Sequence, residues 1–213
     1  MNRMRRQVVG SLAAPVRAGA RGWGWYHLAV KKMNAPKAAS LAYDFAVPES
    51  ATPRPRAFLD VKIGNTEPEK VVIELASDIV PKTASNFLEL VKSGKYKNTP
   101  FHLVQKNNYV SGGDITHGNG QGGMTASGAR YFDDENFALR YTEPGVVGMA
   151  NSGVNTNGSQ FFITSKPMPH LNGRNVAFGK VVDGLDVVRK IENVYSVKGK
   201  PLTEVVVVDC GLL

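Results

Sequence analysis

The sequence predicts a mainly β domain, an antiparallel barrel plugged by helices, behind a long N-terminal arm. Three observations carry this reading. Short apolar segments recur along the last three-quarters of the chain with turn residues between them. Only two stretches have helical spacing. The whole excess of positive charge lies before the first apolar segment. Many short strands with two helices lack the crossovers that a parallel βαβ sheet needs.

The elements follow in order. In AFLDVKIGN, Phe58, Asp60 and Lys62 alternate with Leu59, Val61 and Ile63, the period of a half-buried strand. EKVVIELAS does much the same, and NTEP between them is turn chemistry, so the pair reads as a hairpin. In DIVPKTASNFLELVKSGKY, Pro81 suits a helix start, and Ala84, Phe87, Leu88 and Val91 share a face. Gly94 supplies a stop. The segments PFHLV, YVSGGDI, GVVGMAN, QFFIT and VAFGKVV read as further strands. GLDVVRKIENV reads as a second helix of about three turns, and TEVVVVDCGLL as the last strand. No repeat of fixed period is present.

Composition bounds the function. Hydrophobic residues make up 42% and charged residues 21%, ordinary values for a globular protein. The single cysteine, Cys210, permits no intrachain disulfide and suits a reducing compartment. No apolar run is long enough for a transmembrane helix. The net charge of +8 is local: of 26 Lys and Arg, eight lie in residues 1–37, which hold no acid. The other 18 face all 18 acidic residues. A charge-balanced barrel argues against specific nucleic-acid binding by the domain.

Residues 1–35 therefore form a separate basic arm, and the sequence places it as a mitochondrial targeting segment. It is Arg-rich and acid-free, with Met4, Val8, Val9 and Leu12 at roughly helical spacing before Pro15. The plainer alternative is a basic tail for anionic surfaces. Trp23, Trp25 and Tyr26 are large anchors of the kind enriched at interfaces, or else pack on the chain's own barrel. Residues 36–56, rich in alanine and proline, read as an extended linker, and residues 57–213 as the folded domain.

Several motifs in the folded domain fall in one order. They are PKTASNFLEL, PFHLV followed by SGGDIT, DDENF, GVVGMANSGVNTNGSQFF, LNGRNVAFGKVVDGLDVV and DCGLL. Together they resemble the cyclophilin family across residues 57–213. The resemblance implies a closed eight-stranded antiparallel barrel capped by two helices. It also implies a surface groove for Xaa-Pro peptides and, in most members, peptidyl-prolyl isomerase activity without cofactor or metal.

Carried over residue by residue, the resemblance also exposes departures. The family arginine of the Phe-His-Arg triplet is Leu103 here. Asn108 stands for a pocket phenylalanine, Tyr109 for a methionine, Ser111 for a glutamine and Asn175 for the pocket histidine. Ala150, Asn151, Gln160, Phe162 and Leu171 match groove positions, and His170 stands where tryptophan or histidine is found. The barrier to Xaa-Pro rotation is about 18–20 kcal/mol. Lowering it calls for a ring pocket and a donor to the proline nitrogen, and leucine donates nothing.

Other chemistry is weakly supported. The histidines show no ligand spacing, so neither a metal site nor a cofactor is expected. The glycine-rich runs SGGD and HGNGQGG do not match a phosphate loop, Cys210 suits a buried inert thiol, and Asp133-Asp134-Glu135 suits a solvated loop. Two functions follow. One is a catalytically degenerate subunit of a large mitochondrial assembly, such as a respiratory complex or the mitochondrial ribosome. It would contact protein partners through residues 1–56 and bind proline peptides weakly. The other is an active mitochondrial prolyl isomerase that assists folding.

Overall fold

The computed structural model describes Phe45 and residues 53–213. The targeting segment, the anchors Trp23, Trp25 and Tyr26, and most of the linker lie outside the described residues.

The domain is mainly β with two helices. The long hairpin β1 (Arg56–Ile63) and β2 (Glu69–Leu75) forms from the alternating segments and buries Ala57, Leu59 and Val61 against Val71, Ile73 and Leu75. The last strand, β11 (Val205–Leu212), pairs with the other side of β1. Helix α1 (Pro81–Lys92) buries Thr83, Ala84, Phe87, Leu90 and Val91. Phe87 reaches Tyr96, Phe161 and Phe178 with ring centroids 5.2, 5.6 and 5.1 Å away, so this helix fills the middle of the curled sheet with aromatic rings. Helix α2 (Leu185–Glu192), two turns rather than three, buries Val187, Val188 and Ile191. Its entry needs Gly184: φ is 82°, and a Cβ there would lie 2.2 Å from the Lys70 carbonyl oxygen.

The nine-stranded sheet corrects the expected closed eight-stranded barrel. Strands β3 (Thr99–Pro100), β4 (Leu103–Gln105), β5 (Tyr109–Gly112), β6 (Val146–Met149), β7 (Phe161–Thr164) and β8 (Ala177–Asp183) complete it. The order is β3-β11-β1-β2-β8-β6-β7-β5-β4, antiparallel throughout, and no pairing joins β3 to β4. The reason lies in residues 99–105. Pro100 has no N–H to extend the ladder. The next amide, Phe101 N–H, bonds Val205 O at 2.8 Å. One extended stretch is thereby split, its first part pairing with β11 and its second with β5. The sheet curls, and its two edges are joined by Phe101-His102 rather than by hydrogen bonds. A separate hairpin, β9 (Ser196–Val197) with β10 (Lys200–Pro201), stands beside β4.

Packing extends before Ala57. The Arg54 side chain is buried, pairs with both Asp78 carboxylate oxygens at 2.7 and 2.9 Å, and donates to Phe45 O at 2.9 Å. Phe45 packs against the core. The guanidinium beside Asp78 holds its carboxyl below the usual carboxylate range, against the opposing effect of burial.

The acidic run lies in a loop with Asp133 exposed, but its other two residues have structural partners. Glu135 accepts Lys82 N–H, Thr83 N–H and the Thr83 hydroxyl at 3.0, 2.8 and 2.8 Å. It thus caps α1, whose own N-cap residue, Val80, offers no side-chain acceptor. Asp134 accepts from Asn155 N–H and Asn157 Nδ2. Cys210 is buried, and burial pushes its thiol pKa up. No helix among the described residues is long and apolar enough to cross a membrane.

Candidate functional site

The strand register builds one straight row across the sheet. Leu103 on β4 faces Ser111 on β5, Ser111 faces Phe162 on β7, and Phe162 faces Gly148 on β6. Cross-strand partners share a face. Gly148 at the end of the row makes room: a Cβ there would lie 2.0 Å from the Tyr141 hydroxyl. Tyr141 therefore stacks on Phe162 with ring centroids 5.6 Å apart, and Tyr109 also packs on Phe162, at 5.5 Å. Over this row runs an open groove of about 980 Å³.

Nine of the residues singled out by sequence line this groove: Leu103, Tyr109, Ser111, Ala150, Asn151, Gln160, Phe162, Leu171 and Asn175. Two do not. Asn108 sits in the β4–β5 turn after Asn107, whose φ is 59°, and its N–H bonds Gln105 O and Glu192 Oε1, toward α2. His170 is exposed on a 3-10 turn (Pro169–Leu171).

Four polar side chains of the groove are already engaged with the protein. Ser111 is buried and donates its hydroxyl to Phe161 O at 3.0 Å. Asn175 Nδ2 donates to Met149 O at 2.9 Å, and Asn151 Nδ2 to Arg174 O at 3.0 Å. Gln160 Nε2 donates to Gly120 O and Gly122 O at 3.0 and 2.8 Å. Among the described residues Tyr109 Oη has no hydrogen-bond partner, and burial raises its pKa.

The loop that receives Gln160 is organised by Asp114. Its carboxylate accepts the backbone N–H groups of Thr116, His117, Asn119, Gly120 and Gly122 at 2.9–3.1 Å. Burial works against the charge, but these N–H donors prevail and hold the carboxyl far below its ordinary range. His102, packed beside Gly120, is pushed the other way: burial lowers its pKa, opposed by the Asp114 charge. Its Nδ1 is buried without a hydrogen-bond partner.

The sequence reading missed the far wall, where Lys198, Lys200, Leu202 and Glu204 line the groove from the β9–β10 region. Its signal was the Lys-Gly pair. Lys198 and Gly199 have φ of 51° and 81°, the two left-handed positions of a tight hairpin turn. Gly199 O accepts Val104 N–H at 2.7 Å. A Cβ on Gly199 would lie 2.5 Å from Leu103 Cδ1, so the hairpin tip rests on Leu103. The described residues hold no cluster of three or more His, Cys, Asp or Glu that suits a metal ion.

The family model for cyclophilin type peptidyl-prolyl cis-trans isomerases matches residues 58–212. The chain belongs to the cyclophilin family. The match covers both helices and almost all of the nine-stranded sheet, and so the groove over β4, β5 and β7 lies wholly within the cyclophilin domain.

Proposed function

We propose that this cyclophilin binds an extended peptide segment in its groove without efficient isomerisation, and serves as a subunit of a large mitochondrial assembly. The single observation that carries the reading is the row Leu103–Ser111–Phe162. Leu103 offers no donor where the family resemblance has an arginine, and the Ser111 hydroxyl is already bonded to Phe161 O. Loss of one preorganised donor commonly costs about 10²–10³ in rate. The aromatic floor and the groove volume support continued binding of peptide.

The subunit role rests on the arm. Eight basic residues without an acid support mitochondrial import, and Trp23, Trp25 and Tyr26 suit anchoring in a protein partner. The test of catalysis is exchange NMR on an Ala-Pro peptide with the full chain. No acceleration is expected, and a rate like that of an arginine-bearing cyclophilin overturns the reading. For the arm, a reporter fused behind residues 1–35 should enter mitochondria, and reversing the charges of Arg3, Arg5 and Arg6 should block entry.

One observation favours the second reading, an active isomerase: the unpartnered Tyr109 hydroxyl is a donor on the groove floor. Under that reading the full chain isomerises the peptide and Tyr109→Phe abolishes the rate.

A further inference from the structure

The β9–β10 hairpin carries an apolar face that the described residues leave open. Val197 pairs with Lys200 and Ser196 with Pro201. Leu202 N–H bonds Tyr195 O at 2.9 Å, which continues the ladder by a rung. Cross-strand partners share a face, and so do residues two apart on one strand. Tyr195, Val197, Lys200 and Leu202 therefore stand together. The three apolar ones are 75%, 50% and 65% exposed, whereas Ser196 and Pro201 on the opposite face are half-buried.

This face runs into the groove. Lys200 and Leu202 line the groove, as does Lys198 at the hairpin tip, and Tyr195 and Val197 lie just outside its lining. Single exposed apolar residues are ordinary, but three on one two-stranded face beside a cavity mark an interaction surface. The charge of the hairpin is one-sided. Residues 195–202 hold two lysines and no acid. Neither lysine has an ion pair among the described residues. Of the groove's lining residues only Glu204 is acidic. Apolar side chains flanked by unpaired lysines complement an apolar residue flanked by carboxylates. On charge, the chain's own basic, acid-free arm is the wrong occupant.

We propose that the hairpin face is a second recognition surface, continuous with the groove, for a partner segment of defined chemistry. That segment places a large apolar residue on Tyr195, Val197 and Leu202, and acidic residues on Lys198 and Lys200. The proposal rests on the reading that the groove binds an extended peptide, and it adds the character of the flanking residues. An extended chain advances about 3.3 Å per residue, so two or three residues leaving the groove cover the face.

Fluorescence anisotropy on the full chain tests this with a labelled Ala-Ala-Pro-Ala-Ala peptide. The peptide is used alone, extended by Phe-Glu-Glu at its carboxyl end, or extended by Glu-Glu-Phe at its amino end. One extended peptide is expected to bind about tenfold more tightly than the plain one. Raising salt to about 0.5 M should cut that gain, and lysine in place of both glutamates should remove it. Tyr195→Ser with Val197→Ser, outside the groove lining, should abolish most of the gain and leave the plain peptide's affinity and the cooperative melt as they are. Lys198→Asn, which suits the positive φ there, with Lys200→Gln should flatten the salt dependence. Equal affinity of plain and extended peptides, or a gain that survives lysine or the serine pair, overturns the inference. So does sedimentation of the full chain as a dimer that the serine pair dissolves, since that gives the face to a second copy. If the plain peptide is not bound while an extended one binds through the hairpin, the groove reading falls and this surface stands. If neither binds, both fall.

Discussion

The two walls of the groove are built on different terms. On the loop wall, Asp114 gathers five backbone N–H groups, and the loop so fixed offers two carbonyls to Gln160. On the strand wall, Leu103, Tyr109 and Ser111 sit on β4 and β5, whose register is set by the backbone ladder and not by those side chains. Leu103 and Tyr109 on the strand wall make no side-chain hydrogen bond to the described residues, and Ser111 makes one, to Phe161 O. The difference teaches that the loop wall depends on its side chains for its shape, whereas the strand wall takes its shape from the backbone ladder.

The sharpest way to break this comparison is Asp114→Ala. It orphans five amides and releases Gln160, so urea denaturation should show a loss of about 2–4 kcal/mol. Leu103→Ala, on the other wall, should cost about 1 kcal/mol. Equal losses would erase the distinction. The same contrast holds for two arginines outside the groove. Arg54→Ala leaves Phe45 and Asp78 without their shared partner and should cost about 1–3 kcal/mol. Arg56→Ala breaks a more exposed pair with Glu74 and should cost under about 1 kcal/mol, read in the same assay.

Acid titration sharpens the loop wall further. His102 has a lowered folded pKa, so below about pH 6.5 the unfolded chain takes up a proton that the folded chain resists. Stability should therefore fall as pH drops from 6.5 toward the folded value, and His102→Asn should flatten that slope. Asp114 is also depressed. Its contribution is complete above about pH 4 and declines below it, so a second decline in the urea midpoint should follow there. The smallest effect is reserved for Leu103→Arg. With Ser111 bonded inward, Asn175 engaged with Met149 and the hairpin tip resting on residue 103, isomerisation should rise by less than about tenfold in exchange NMR.

Much of the fold was legible because its signals are local. The alternation in β1 and β2, Pro81 ahead of a helical face, and the apolar β7 and β8 segments each carry their own period. The groove was legible through motif resemblance, which located nine of its residues. What failed was non-local or too short to have a period. Strands of two residues, as in β3, β9 and β10, leave no alternation to read. The Glu135 cap on α1 comes from 52 residues away. Asn108 turns to α2 because of Glu192, 84 residues on, which no spacing rule reaches. The far wall was hidden because lysines beside a glycine are ordinary surface residues until the hairpin tip meets Leu103.

The break between β3 and β4 has a mechanical meaning. A sheet whose ladder closed on itself would share any opening force among interstrand hydrogen bonds. Here the last joint is a length of covalent chain, Phe101-His102, and both residues also line the groove. Anything lodged there lies across the joint like a splint. Cutting the chain between Phe101 and His102 would leave the two edges of the curled sheet with no covalent tie at that point. A cut at the Lys198–Gly199 tip would leave every rung of the nine-stranded sheet in place.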